Sequence, residues 1–488
     1  MDIFKRATKN KFVLFLTLLG VLIFLLSLLP GLLGLDRNGI GQRQLLVAIV
    51  GAAFVIVGIG LVLSEQETGQ PVVRSSWLAG IPSLPNVVWV LIGSSIAYVI
   101  FLVAPMFFDA AHQIEYFGKY LYALHTLGTD FLTTLNSSRT WFAEGIAKAY
   151  YPPLTPILFA PFGLLAYPTN YHAITIISVI SYFVAAGLLP CLLVREGDRS
   201  GALFIFGISI FSYGFQFELE RGQFHTIAML FCMLAIYLFH RQPRQRFFAY
   251  VLFCISVQLK IYPALFVVMF VDDWRDWKTN LKRFAALGMA NFALLFLLGF
   301  SYFSNFTSHL MASSADRHEI WAGNHSIKSF LTMLTIPESH LLDANALAWL
   351  QERIGLFTFL FLAYFAICFV LVWVNSYRRN LRGIDSLLLM ACTLGVLTVP
   401  PINHDYTLPL LATPFALMVA EPFTRNVPAR IAVILLLVAA AFAYAATLVP
   451  YIRKPLYLQN SFPLLIVLLT ATTLLSFLRE KQAAAPAA

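Results

Sequence analysis

Apolar runs long enough to cross a bilayer, or nearly so, recur from residue 12 to residue 478, with polar breaks between them. A membrane-spanning helix needs about 20 predominantly apolar residues. Such runs lie near 12–34, 44–64, 88–108, 172–194, 201–217, 224–240, 247–260, 262–272, 284–303, 355–376, 386–400, 407–420, 430–450 and 460–478. The fold predicted is therefore all-α, a polytopic transmembrane bundle of about 12–14 spans. The runs at 247–260 and 262–272 are short for two full spans, so a broken or re-entrant pair is expected around Lys260-Ile261-Tyr262-Pro263. Only 12% of residues are charged, against about 25% in soluble domains, which excludes a large soluble module.

Lys5, Arg6, Lys9 and Lys11 precede an apolar run that begins at Phe12. That run is longer than the about 7–15 residues of a signal peptide, shows no small-residue cleavage site and is soon followed by a second span. A retained signal anchor is expected. Residues 1–87 then hold two spans and a polar linker, 88–420 a central module, 421–481 two last spans and 482–488 an Ala-Pro tail without regular structure. The cysteines Cys191, Cys232, Cys254, Cys368 and Cys392 all fall inside apolar runs, which leaves no loop pair for a disulfide and no metal-ligand spacing. The formal charge of +9 is scattered in short clusters between spans, a distribution set by topology rather than by nucleic acid.

Those clusters orient the chain. With the N-terminus inside, Arg195 and Arg199, then Arg241, Arg244 and Arg246, then Arg275, Lys278, Lys282 and Arg283, then Arg378, Arg379 and Arg382 all fall in inner loops. Arg37, Arg43, Arg453 and Lys454 fall in outer turns and count against the bias. The arrangement requires the segment Leu154 to Ala166 to skim the membrane rather than cross it. It places both termini in the cytoplasm and two long loops, 109–171 and 304–354, outside a multi-pass plasma (inner) membrane protein. Long loops without a domain of their own are usually functional. The first opens with Asp109 and Glu115 at a membrane exit, continues with Tyr116 and Tyr120, and closes on Tyr150-Tyr151-Pro152-Pro153-Leu154.

Five motifs succeed one another: Tyr151-Pro152-Pro153-Leu154 with Phe159-Ala160-Pro161, Arg221-Gly222-Gln223, Lys260-Ile261-Tyr262-Pro263, Asn324-His325-Ser326-Ile327 and His404-Asp405-Tyr406. In this order they resemble membrane glycosyltransferases of the GT-C type, above all glycosyltransferase family 87, from about residue 88 to 420. The resemblance implies a GT-C-like module whose two long outer loops carry short membrane-skimming helices. It implies transfer of a single sugar, mannose by analogy, from a polyprenyl-phosphate carrier to an extracytoplasmic glycan or glycolipid acceptor. The family's acidic residue in the first outer loop is matched by Glu115, with Asp109 as competitor; the family residue is usually Asp.

A carboxylate suits this chemistry because a sugar hydroxyl attacks an anomeric carbon well only as a base takes its proton. A single displacement inverts that carbon, and a phosphate leaving group needs cations rather than an acid. The candidate phosphate ligands are Arg221, Lys260, Lys328 and His404, with Asp405 orienting the His404 imidazole. Tyr151, Gln223, Asn324, Ser326, Trp321 and Asp405 are the candidates for sugar contacts. Structural roles remain open for each: Arg221 paired with Glu218 or Glu220, Lys260 snorkelling, Asn324 and Ser326 capping a helix. The 221–223 stretch commonly reads Asn-Gly-Gln in the family, so that asparagine's role does not carry over. No Walker loop, Rossmann fingerprint or zinc pattern is present, and no cofactor is implied beyond room for a divalent cation.

A transporter or flippase of lipid-linked sugars is the competing class. It calls for polar groups at mid-bilayer, where Lys260 and the broken 247–272 pair are its best support. The topology is tested with single cysteines at Ser137 and Ser313 in an otherwise cysteine-free chain, which should react with an impermeant maleimide in intact cells. Labelling only after lysis overturns the arrangement.

Overall fold

The computed structural model describes residues 127–144, 149–194, 199–210, 212–315, 323–335, 344–381, 383–420 and 460–478. Asp109, Glu115 and Trp321, and the spans expected before residue 127 and at 430–450, lie outside the described residues. Within them the protein is all-helical, with no strand and one isolated bridge, Asn324 to His404.

The first helix, α1, is Thr129–Glu144, and after the Pro-Pro turn comes α2, Leu154–Phe159, which tightens into a 3-10 turn at Ala160–Leu164. Together these two pieces extend roughly 16–20 Å, too short to cross a bilayer. The next helix, α3 (Thr169–Leu193), is long and apolar enough to cross. It passes through a π segment at Phe183–Leu188, one turn before Pro190, where a residue without an N–H cannot complete the helical ladder. The chain continues as α4 (Arg199–Ser209), α5 (Tyr213–Arg221), α6 (His225–Arg241) and α7 (Arg246–Leu259). Beyond a 3-10 stretch at Tyr262–Met269 lie α8 (Trp277–Leu294), α9 (Phe300–Ala315), α10 (Ile327–Leu334), α11 (Ala344–Arg379) and α12 (Ser386–Thr398). A second 3-10 stretch, Asp405–Leu411, leads into α13 (Ala412–Ala420), and α14 is Phe462–Leu478.

Sequence periodicity places these elements well but overstates their continuity. Among the described residues α3 and α11 have the length and apolarity of a span, and α5 with α6 makes a third only as a pair bent by 113°. The break expected around Lys260-Pro263 is present as a 3-10 stretch at Tyr262–Met269, and the span expected at 407–420 begins instead as a 3-10 turn containing Pro409, where the missing N–H interrupts the α ladder. The expected span at 201–217 is cut at Ser212, whose hydroxyl accepts from Phe215 N and starts a new helix.

Helices α6 and α7 form an antiparallel hairpin, tied by Ser256 Oγ donating to Ala228 O at 2.7 Å. The core beneath them is aromatic, with Phe253 on Phe270 at 4.7 Å and Phe239 on Phe270 at 5.3 Å. The outer faces of α8 and α11 carry exposed Trp277, Leu281, Met289, Phe292, Phe359 and Ile367. Apolar patches of that extent fit a hydrocarbon surrounding rather than water. This is an all-α membrane protein.

A close approach at Gly214 fixes where the 405–411 stretch sits. A Cβ on Gly214 of α5 would lie 2.5 Å from Asp405 O and 3.0 Å from Pro409 Cδ, so that stretch docks directly on the α5 backbone. Gly214→Ala is expected to cost about 1–3 kcal/mol, as overpacking does. Thermal unfolding of the purified protein in detergent checks it, and an unchanged midpoint would contradict the docking.

Candidate active site

The site is built on the bend between α5 and α6. Helix α5 ends at Gly222 in the left-handed conformation (φ 65°), with Gly222 N donating to Leu219 O and Gln223 N to Glu218 O at 3.0 and 2.9 Å, the paired bonds of a Schellman termination. Glu218 accepts from Thr226 N at 2.7 Å and so caps α6. Gly222 is required twice over. Besides its positive φ, a Cβ there would lie 2.7 Å from Phe131 Cβ and 3.1 Å from Gly128 Cα. Gly128, itself at φ 75°, donates to Glu220 O at 2.7 Å. Two glycine backbones in contact let the start of α1 sit directly on the end of α5.

That contact carries Asp130, in the first turn of α1, onto Arg221. Arg221 Nη2 donates to Asp130 Oδ1 at 2.5 Å and Nε to Oδ2 at 3.0 Å, while Gln223 Nε2 donates to Oδ2 at 2.5 Å. Gln223 Oε1 in turn accepts from Lys260 Nζ at 2.8 Å. The Lys260 ammonium lies 4.3 Å from the Tyr151 ring centroid and 4.2 Å from that of Phe224, a cation held between two aromatic faces. Thr155 Oγ1 donates to Gln258 O at 2.8 Å and fastens the Tyr-Pro-Pro-Leu segment to the end of α7. Burial, reinforced by the nearby Asp130 charge, pushes the Tyr151 phenol well above its ordinary range, so it stays a hydroxyl.

A small cleft of about 10 Å³ opens one helical turn beyond Asp130 along α1, lined by Thr134, Ser137, Ser138, Tyr150, Tyr151, Pro156 and Tyr302. Thr134, Ser137 and Ser138 come after Asp130 at helical spacing on α1. Tyr302 OH donates to Tyr151 O at 2.9 Å, and Trp141 meets the Tyr302 ring edge-on at 4.7 Å.

The motifs at 324 and 404 clasp each other. His325 N donates to Asn403 O at 2.9 Å and Asp405 N to Gly323 O at 2.8 Å. Asn324 Nδ2 and Ser326 Oγ both donate to Pro401 O, at 3.2 and 2.9 Å, and Asn324 Oδ1 accepts from Asn403 N and Ser326 N. Asn324, His325 and Ser326 are wholly buried. Asp405 Oδ1 lies 3.2 Å from His325 Nδ1, so the imidazole it orients is that of His325, which corrects the expected pairing with His404. Burial pushes the Asp405 carboxyl up against the pull of His325, and pushes His325 down against the pull of Asp405. His404 packs edge-on to Tyr406 at 5.1 Å, and Tyr406 lies over His225 at 5.1 Å.

Of the residues singled out in the sequence, the structure thus unites Tyr151, Arg221, Gln223 and Lys260, and the turn carrying His404 packs beside them through Tyr406. It does not bring Asn324 and Ser326 out to a ligand, because their polar atoms hold the clasp. Lys328 is exposed on the first turn of α10. Arg221 pairs with Asp130 rather than with Glu218 or Glu220. Sequence reasoning passed over Asp130, although a carboxylate two residues after a glycine at a helix start was a usable signal.

The sequence of this broken-helix site matches glycosyltransferase family 87 over residues 149–400, more than half of the chain. The chain belongs to glycosyltransferase family 87. The matched region holds Tyr151, Arg221, Gln223, Lys260 and Asn324, with Asp130 before it and His404 just after. No curated protein matches the chain. Among the described residues no group of three His, Cys, Asp or Glu side chains is arranged to hold a metal ion.

The Arg221 and Asp130 side chains are 27% and 18% exposed, sheltered enough for the fork to matter. In a double-mutant cycle, Asp130→Asn and Arg221→Gln should show a coupling of about 0.5–3 kcal/mol in unfolding free energy. Additivity within about 0.3–0.5 kcal/mol would show that the pair does not hold α1 to α5.

Proposed function

We propose that this family 87 glycosyltransferase moves a single hexose, mannose by family analogy, from a polyprenyl-phosphate carrier to an extracytoplasmic glycan or glycolipid hydroxyl, with inversion and with Asp130 as the general base. The observation that carries the reading is one carboxylate joined through Gln223 to a buried ammonium, one helical turn from a hydroxyl-bearing cleft. A carboxylate offers about four acceptor positions, and Arg221 and Gln223 occupy three of them, two on Oδ2 and one on Oδ1. The remaining lone pair on Oδ1 is open to receive a proton.

In the proposed displacement an acceptor hydroxyl seated in the cleft attacks the anomeric carbon. Its O–C bond forms while the bond from that carbon to the phosphate oxygen breaks. The electron pair leaves with the polyprenyl phosphate, and the hydroxyl proton passes to Asp130. Lys260 and His404 supply the positive charge and donors that the departing phosphate calls for; Arg221 is occupied in aligning the base. The cleft's hydroxyls and tyrosines on α1, α9 and the loop before α2 take the sugar contacts for which Asn324 and Ser326 are too deeply committed. Aromatic faces beside hydroxyls suit a polyol with one apolar side. The reading retains an outward-facing site and a lipid-borne donor, supported by the basic clusters between spans and by the lack of a nucleotide-binding motif.

The test is release of polyprenyl phosphate by purified protein given polyprenyl-phosphate hexoses and an acceptor. Asp130→Asn should remain folded and lose about 10²–10⁴-fold in turnover, the usual contribution of a general base. Glu115→Gln and Asp109→Asn should keep rates near wild type. A folded but inactive Glu115→Gln beside an active Asp130→Asn reverses the assignment, and turnover of a soluble nucleotide sugar without lipid carrier sinks the donor reading.

A further inference from the structure

Helix α9 stands apart from the main core. Its inward residues Tyr302 and Phe306 form a small cluster with Ala149, bordered by Trp141, Leu295 and Leu298, that is separate from the large cluster holding the other helices together. Tyr302, Asn305 and His309 recur at three- and four-residue spacing and so share one face of α9. That face meets the segment before the Pro-Pro turn: Tyr302 OH donates to Tyr151 O at 2.9 Å, Asn305 Oδ1 accepts from Ala149 N at 3.4 Å, and the His309 ring meets Tyr150 edge-on at 4.5 Å. The opposite side carries exposed Ser301, Ser304 and Ser308. Neutral hydrogen bonds and edge-on rings are individually weak ties.

The joint that precedes α9 has the character of a hinge. Gly299 stands at φ 88°, and a Cβ there would meet nothing within 4 Å, so glycine is required by the backbone conformation and not by a close neighbour. The cleft that α9 walls is about 10 Å³, room for about one water, and a hexose is many times larger. A sugar enters only if a wall gives way. The α1 wall is tied down by the fork between Asp130 and Arg221, and the Tyr151 wall by the bond from Thr155 to Gln258 O and by the Phe224 ring, 5.0 Å away. The Tyr302 wall has no comparable anchor in the main core. Its movement frees a hydroxyl donor on Tyr302 and a carbonyl acceptor on Tyr151 together, the complement of a ligand whose hydroxyls both donate and accept.

We propose that α9 is the movable wall of the acceptor site, swinging out about Gly299 to admit a hexose-sized polyol beside Thr134, Ser137 and Ser138 and then contacting it through Tyr302, Asn305 and His309. The assignment rests on the reading of the cleft as the acceptor site. In the closed form Tyr302 OH holds the position on Tyr151 O that an acceptor hydroxyl takes over in the open one. The inward face of α9 thereby sets the size of saccharide the enzyme accepts.

The experiment measures the distance between α1 and α9 by pulsed electron spin resonance, with spin labels on Phe142→Cys and Ser308→Cys, both exposed positions, in an otherwise cysteine-free full chain purified in detergent. Methyl mannoside and methyl glucoside are the probes, and ethylene glycol is the control, a polyol small enough to need no opening. Either glycoside should shift the distribution to a longer distance, and ethylene glycol should leave it unchanged. Without ligand, Tyr302→Phe, which keeps the ring and loses the bond to Tyr151 O, should raise the open share about two- to tenfold. Gly299→Ala should raise it about five- to thirtyfold, because only the closed form requires the left-handed residue. With methyl mannoside as acceptor and polyprenyl phosphate release as the readout, Gly299→Ala should also lower the acceptor KM severalfold, since a larger share of the protein is open to the sugar. One unchanged distance in wild type and in both variants, with and without glycoside, overturns the assignment, and so does an equal shift with ethylene glycol. If Gly299→Ala fails to fold, the wild-type response and Tyr302→Phe decide the question. A wild type that opens with glycoside yet releases no polyprenyl phosphate keeps the hinge and removes the functional reading on which the acceptor role rests.

Discussion

The two-pronged bond between Arg221 and Asp130 is the interaction on which the site depends. It joins the end of one helix to the start of another that is 91 positions away in sequence, and it does so in the rigid, planar geometry that a guanidinium and a carboxylate share. A single point contact would leave α1 free to pivot. The fork fixes the direction of the carboxylate, and the Gln223 amide then links it to Lys260, so one chain of donors and acceptors runs from α1 across the bend to the end of α7. The hydroxyls of the cleft inherit their position from the same anchor, because they lie on α1 one and two turns further on.

The fork is possible only because the membrane helix is broken. A continuous helix offers no free backbone groups, whereas a bend of 113° inside the bundle exposes several that lipid cannot satisfy. Several find partners here: the Schellman bonds close the end of α5, Glu218 caps α6, and Gly128 N donates to Glu220 O. Such a break is costly in lipid unless it is paired in this way, and it returns polar side chains to a depth otherwise closed to them. Gly222 is its steric condition, since a side chain there would meet Phe131 and Gly128 and hold the two helix ends apart, while one at Gly128 would meet the Tyr171 ring.

The second clasp, between the 324 and 404 motifs, serves a different end. Its bonds are numerous and wholly internal, and they define where His404 and Tyr406 stand relative to α5. Gly214 completes the arrangement by letting the 405–411 stretch touch the α5 backbone. Residues with the chemistry of sugar recognition, Asn324 and Ser326 among them, thus work as framework, while plainer hydroxyls on α1 line the cleft.

The amino-acid sequence by itself determined the helical membrane character of the chain, because apolar run length and charge density are local quantities. It also determined which motifs carry polar chemistry, since Tyr151, Arg221, Gln223 and Lys260 stand out against apolar neighbours. Gly222 and Pro263 told of interruption without telling its geometry. Only the tertiary structure decided the partners. Asp130 resembles any capping carboxylate until α1 is laid on α5, and Asp405 lies next to His404 in sequence yet reaches His325 across the clasp. Pairing of this kind depends on distances between segments tens of residues apart, which no local pattern encodes, and those distances are set by how broken helices satisfy their backbones inside the bundle.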